Sequence, residues 1–132
     1  MRLAEYLREP RSPWDWIRVD CCRWVDGWVV ARGRASPMAA IGMQYDSERS
    51  ALRRIAEGGG LVALWSQGMA AIGASVVAED EDLQPGDVGV IRRATACGTN
   101  EAAAIWTGDR WVTLGLRGLD FGPAEALAVW RG

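Results

Sequence analysis

Residues 16–29 read Trp-Ile-Arg-Val-Asp-Cys-Cys-Arg-Trp-Val-Asp-Gly-Trp-Val, and this segment decides the fold. Asp20 is a residue type that caps helix N-termini. The apolar side chains after it recur at positions 21, 24, 25, 28 and 29, which all lie on one face of a helix. The spacing predicts a helix over 21–31, with Cys21 in its first turn at the edge of the buried face.

The position of Cys21 favours a reactive thiol. A helix N-terminus stabilises a thiolate, and Arg18 and Arg23 add positive charge nearby in the sequence. The negative charge of Asp20 opposes both effects. The alternative interpretation is that Cys21 and Cys22 are small buried hydrophobic residues, as free cysteines usually are.

The chain contains no histidine. A cysteine hydrolase normally uses a histidine to take the proton of its thiol and to return that proton to the leaving group. The sequence therefore presents a nucleophile's setting without the usual base.

Length and composition exclude several classes of protein. A chain of 132 residues predicts one domain over 1–132. The formal net charge of −2 argues against a nucleic-acid partner, although all fifteen cationic residues are arginine. No apolar run reaches the roughly 20 residues that a membrane helix needs, and residues 1–13 lack the apolar stretch of a secretory signal. We therefore expect a protein made in the cytoplasm without membrane insertion.

The elements change in kind along the chain, from helices to strands. Because helices come first and strands follow, we expect an α+β fold with an antiparallel sheet, helical over about 1–74 and β over about 75–132. The predicted helices are a short amphipathic one within 1–13, then 21–31 ended by Gly33 and Pro37, one capped by Ser47 and stopped by the glycines at 58–60, and 61–72. The predicted strands are 88–91, 102–106, 111–116 and 126–130, with a turn at 85–87 and a hairpin connection at 107–110.

Three short motifs carry a family resemblance. They are Asp20-Cys21 at a helix start, Leu-Gln-Pro-Gly-Asp-Val at 83–88, and Ala-Ala-Ala-Ile-Trp-Thr-Gly at 102–108. In this order they resemble the landmarks of the NlpC-type cell-wall cysteine peptidases, which cleave peptide bonds in peptidoglycan. The resemblance implies a papain-like α+β domain, with a helical N-terminal half packed on a small antiparallel sheet or barrel.

A closer resemblance is to a small subgroup of that superfamily. Its Trp-x-x-x-Asp-Cys-Cys motif is seen here at 16–22, followed by Tyr45 and a Ser47-capped helix. Members of the subgroup look like tail-associated proteins of phages and of alphaproteobacterial gene transfer agents. The resemblance therefore implies a virion component placed in a phage-like tail.

Carried over residue by residue, the resemblance fills one of three catalytic positions. Cys21 takes the nucleophile's place, and Asp20 caps its helix. The place of the histidine falls on Ala102, with Glu101 beside it as a weak alternative base. The third position has no clear match, since only Thr113 is polar on the next strand.

A carboxylate is a poor substitute for the missing histidine. Glu101 and Asp87 are the two carboxylates that could take its place. A carboxylate with a pKa near ~4 is a weak base for a thiol with a pKa near ~8.5, unless the site moves both values by several units.

The resemblance implies a pseudoenzyme: a structural or accessory component of the tail, placed at its tip, whose partners are other tail proteins. Two alternatives stay open. One is an active peptidoglycan peptidase that uses Cys21 with a non-standard base or one supplied by a partner chain. The other is a tail-assembly factor that is absent from the mature particle.

No cofactor and no metal site are predicted. The three cysteines are best interpreted as free thiols, because Cys21 and Cys22 are adjacent and Cys97 stands alone, whereas structural zinc needs four ligands in spaced pairs. Among the eight tryptophans, Trp24 and Trp28 are expected in the core. Packing is also favoured for Trp16, whereas Trp14 is left open between packing and an interface.

Overall fold

A computed structural model describes residues 1–11, 14–16, 19–94 and 100–132 of the chain. Two predicted features, Arg18 and Cys97, lie outside these residues. Five helices come first: α1 (Leu3–Arg8), α2 (Cys21–Ala31), α3 (Pro37–Ala40), α4 (Glu48–Glu57) and α5 (Leu61–Ala71). Six strands follow: β1 (Ser75–Val76), β2 (Val88–Arg92), β3 (Glu101–Trp106), β4 (Trp111–Gly115), β5 (Gly118–Gly122) and β6 (Glu125–Arg131).

The strands form one sheet in the order β1-β6-β2-β3-β4-β5, and every neighbouring pair is antiparallel. The turn before β2 and the hairpin after β3 adopt the predicted form, since Gly86 and Gly108 both have positive φ, which glycine adopts without a Cβ clash. The predicted α+β class with an antiparallel sheet is confirmed.

Helix α2 is the central element of the helical half. Trp24, Val25, Trp28 and Val29 are buried in the core, at the positions that the apolar period predicted. The Trp28 indole Nε1 donates to the Gly86 carbonyl at 3.0 Å, which ties the helix to the turn before β2. These contacts hold the N-terminus of α2 over strands β3 and β4.

One prediction about an element boundary was wrong, and one strand was not foreseen. Pro37 was expected to help end the second helix, but it begins α3, where Ser36 caps the helix and accepts the Ala39 N–H at 3.0 Å. Proline suits the first position of a helix, since its missing N–H has no partner there in any case. Strand β5 was not predicted, because its Gly-Leu-Asp-Phe-Gly sequence resembles a loop.

Candidate functional site

A cavity of about 490 Å³ lies against α2, α4 and the strands β3 and β4. Its volume falls within the range of small-molecule sites in proteins. Buried Asp20 and Thr113 line its inner part, and exposed Asn100 and Leu116 mark its opening. Cys21 lines the same cavity, so the predicted nucleophile faces a space that a ligand can enter.

Asp20 fixes the start of α2. Its Oδ1 accepts the backbone N–H of Arg23 at 2.8 Å, which is the predicted N-cap. Only 1% of Asp20 is exposed, and this burial raises the pKa of its carboxyl, while the Arg23 N–H opposes the shift. Its Oδ2 makes no hydrogen bond of ordinary length to the described residues. Arg23 Nη1 is 3.7 Å from that oxygen, and the nearby Tyr45 hydroxyl counteracts part of the rise in pKa.

Arg23 does not serve the thiol in the way that its place in the sequence suggested. Its guanidinium donates to the carbonyl oxygens of Trp16 and Tyr45 and lies 4.1 Å from the centre of the Tyr45 ring. Arg23 therefore holds the segment before α2 against the segment before α4, which shapes one wall of the cavity.

The two adjacent cysteines have different environments. Cys22 is 4% exposed and belongs to the hydrophobic core, whereas Cys21 is half-buried and lines the cavity. The pKa of the Cys21 thiol is lowered, chiefly by its interaction with the neighbouring Cys22 thiol. Burial and the charge of Asp20 oppose this effect, and the backbone N–H of Ala103 supports it. The same interaction raises the pKa of Cys22 well above its ordinary value, so Cys21 is the thiol that ionises first.

The position of the missing histidine lies in the same cavity as the thiol. Ala102 is 1% exposed on β3 and lines the cavity, and so does Glu101 beside it. Thr113 on β4 also lines it, but its hydroxyl donates to the Ala103 carbonyl at 2.7 Å. The structure thus places all the carried-over positions around one cavity. Neither Ala102 nor Thr113, whose hydroxyl is bonded to the Ala103 carbonyl, can act as a general base.

Asp87 lies elsewhere. Its buried carboxylate accepts two hydrogen bonds from Arg131, at 2.9 and 2.8 Å, and one from the Gln84 N–H. It does not line the cavity. Asp87 is therefore not placed to substitute for the histidine. Its carboxylate stabilises the turn before β2.

Several cavity residues were not recognised from the sequence. Leu52 and Ile55 of α4 are half-buried and line the cavity. Trp14 and Trp16 also line it, with ring centres 4.5 Å apart and a perpendicular arrangement. An amphipathic pattern shows that a helix face points toward the interior. It does not show whether that face packs against side chains or lines a cavity.

Two other findings concern site chemistry and membranes. Within the described ranges, no group of three or more His, Cys, Asp or Glu side chains is placed to hold a metal ion. No helix in that part of the chain combines the length and apolar character needed to cross a bilayer.

Comparison with known proteins gives a family but no function. No curated protein and no solved structure matches the chain. The model of a family described as a domain of unknown function, DUF6950, matches residues 1–132. The chain therefore belongs to the DUF6950 family.

Proposed function

We propose that the protein is a structural or accessory component of a phage-like tail, at the tail tip, built on a peptidase fold that has lost its catalytic base. One observation carries the proposal. Cys21, at the nucleophile's position, and Ala102, at the position of the base, line one cavity, yet alanine cannot accept a proton and the chain has no histidine.

The proposed fold type is papain-like and NlpC-type. In support, a helix capped by Asp20 presents Cys21 to an antiparallel sheet, and the strand after the Pro-Gly-Asp turn pairs directly with the strand that carries Ala102. The order of these elements along the chain is the order of the three sequence motifs. The resemblance to tail-associated proteins supports the proposed location in a virion and other tail proteins as partners.

A second candidate function is an active peptidoglycan peptidase. It is favoured by the lowered pKa of Cys21 and by the cavity that opens onto its sulfur. Glu101 lines the cavity too and is the carboxylate that this candidate would use, unless a partner chain supplies a base.

Particle composition tests the proposal. Particles are purified from cells that carry the wild-type gene or Cys21→Ser, and the protein is quantified by mass spectrometry. The proposal predicts a fixed copy number per particle and unchanged infection or gene transfer with the serine variant. Presence in cell extracts but absence from finished particles would identify an assembly factor. Loss of infection with a normal copy number of Cys21→Ser would favour the peptidase.

A further inference from the structure

The cavity combines a thiol with mostly apolar walls. Leu52 and Ile55 of α4, Leu61 of α5 and Leu114 of β4 line it together with Trp14 and Trp16. Such walls suit a hydrocarbon chain better than a polar peptide, because burying unpaired amide groups against them costs free energy. The cavity therefore favours an acyl group with an apolar chain.

The absence of a histidine restricts which acyl donors can react. When a thiolate attacks an amide, the leaving amine has to be protonated, which is the second task of the histidine in cysteine peptidases. This chain has no histidine, and the Thr113 hydroxyl is committed to the Ala103 carbonyl. A thioester needs no such acid, because its leaving group departs as a thiolate.

The helix start favours negative charge at the reacting atoms. Cys21 is the first residue of α2, where the helix dipole stabilises a thiolate and the negative oxygen that forms when a carbonyl is attacked.

We propose that Cys21 accepts acyl groups from thioesters of fatty acids and retains them as a stable thioester in the cavity. The Cys21 sulfur forms a bond to the carbonyl carbon, and the donor's carbon–sulfur bond breaks. The donor sulfur leaves as a thiolate and takes a proton from water, so no oxidant or reductant is needed. Hydrolysis of the product is slow, because no histidine activates water beside Ala102.

This activity goes beyond a structural role and does not depend on it. The two can fail separately: particle composition tests the tail assignment, whereas acylation is measured on the purified protein. An acylated protein outside the particle would contradict the tail role alone, and an unacylated protein within it would contradict the acylation alone.

The test uses octanoyl-coenzyme A and an octanoyl amide, which share one acyl group and differ in the leaving group. Intact-mass spectrometry with peptide mapping should find one octanoyl group, on Cys21, from the thioester and none from the amide. Neutral hydroxylamine should remove it. Acetyl-coenzyme A should react more slowly, since its acyl group leaves the apolar walls uncovered.

Two variants and a reference thiol complete the experiment. Cys21→Ser should carry no hydroxylamine-sensitive group, and its thermal unfolding should match the wild type. Cys22→Ser should still acylate at Cys21, but more slowly, because the thiol that stabilises the Cys21 thiolate is gone. The wild-type rate should exceed that of glutathione at neutral pH, because the lowered pKa of Cys21 gives a larger fraction of thiolate. No adduct, an adduct on another cysteine, repeated turnover of the thioester, or equal reaction of the amide would each overturn the proposal.

Discussion

Cys21 and Ala102 face one cavity, the first from the start of α2 and the second from strand β3. The helix start, the neighbouring thiol and the cavity are all arranged as for a nucleophile. The side chain of Ala102 is a methyl group, which cannot accept a proton. A cavity with Cys21 but with Ala102 in place of a base can form a thiolate but lacks the histidine that completes a hydrolysis.

The thiolate is the first part that can be measured. Iodoacetamide alkylation of Cys21, followed by peptide mapping across a pH series on the folded protein, should show an inflection below the ordinary thiol pKa of ~8.5. The reason is the interaction of the Cys21 thiol with the neighbouring Cys22 thiol, which lowers the pKa of Cys21. Cys22→Ser should raise the inflection. A Cys21 that reacts only after unfolding would show that its sulfur is part of the core.

Restoring a base should restore turnover. In Ala102→His an imidazole would enter the cavity beside Cys21, and general base catalysis is worth ~10²–10⁴-fold. We expect the octanoyl group on Cys21 to be lost about a hundredfold faster in this variant. Ala102→Asn is the matched control, since it adds similar bulk without a group that titrates near neutral pH. Equal lifetimes in both variants, with folding verified by circular dichroism, would argue against a missing base as the cause of slow release.

Substitutions of Asp20 should separate two opposing effects on the free energy of unfolding, helix capping and carboxylate burial. Asn and Asp are comparable N-caps, whereas Ala loses the bond to the Arg23 N–H, so Asp20→Ala should lower the free energy of unfolding by about 1 kcal/mol. Burial raises the folded-state pKa of Asp20 above its unfolded value of ~3.9. The folded protein therefore binds this proton more tightly, and stability is lost as pH rises from about 4 through the folded-state pKa.

Asn does not titrate, so Asp20→Asn should gain stability relative to wild type over that pH window and hold the gain above it. Urea unfolding at a series of pH values measures the difference in free energy of unfolding between the variant and the wild type. The contributions of the titrating groups that the two proteins share cancel in this difference. A constant difference across pH would contradict a raised pKa for Asp20.

The sheet beside the site is closely packed at Gly89 on β2. A Cβ there would lie 2.7 Å from the Trp111 ring, and both residues are buried. Gly89→Ala should therefore lower the free energy of unfolding by about 1–3 kcal/mol, as overpacking usually does. Gly115→Ala is the control, because the nearest atom to its new Cβ is 3.5 Å away, an ordinary contact. Thermal or urea unfolding that ranks the two variants equally would refute this packing argument.

The parts of the fold that local sequence determines were predictable. Helix α2 begins and ends where predicted, because a capping carboxylate and an uninterrupted apolar period mark it. The predicted strands that became β2, β3 and β4 differ from the observed ones by one residue at one end, and β6 by one residue at each end, since β-branched and apolar runs bounded by turn residues mark them. Strand β5 has glycine at both ends, and it is a strand because β4 offers it a partner along its whole length.

The candidate site was predictable in its residues but not in its shape. Asp20, Cys21 and Ala102 follow from the motifs. The cavity follows from how α4 stands away from the sheet, a tertiary relationship with no local signal. The interaction of Cys21 with Cys22 likewise depends on side-chain directions at the helix start, which sequence spacing does not specify.

The most direct test of the central claim is incubation of the purified protein with isolated peptidoglycan, with soluble muropeptides measured by liquid chromatography and mass spectrometry. The account predicts that wild-type protein releases no more than Cys21→Ala, because the site has a nucleophile without a proton-transfer partner. Release by wild-type protein that Cys21→Ala abolishes would contradict the account and identify a working peptidase.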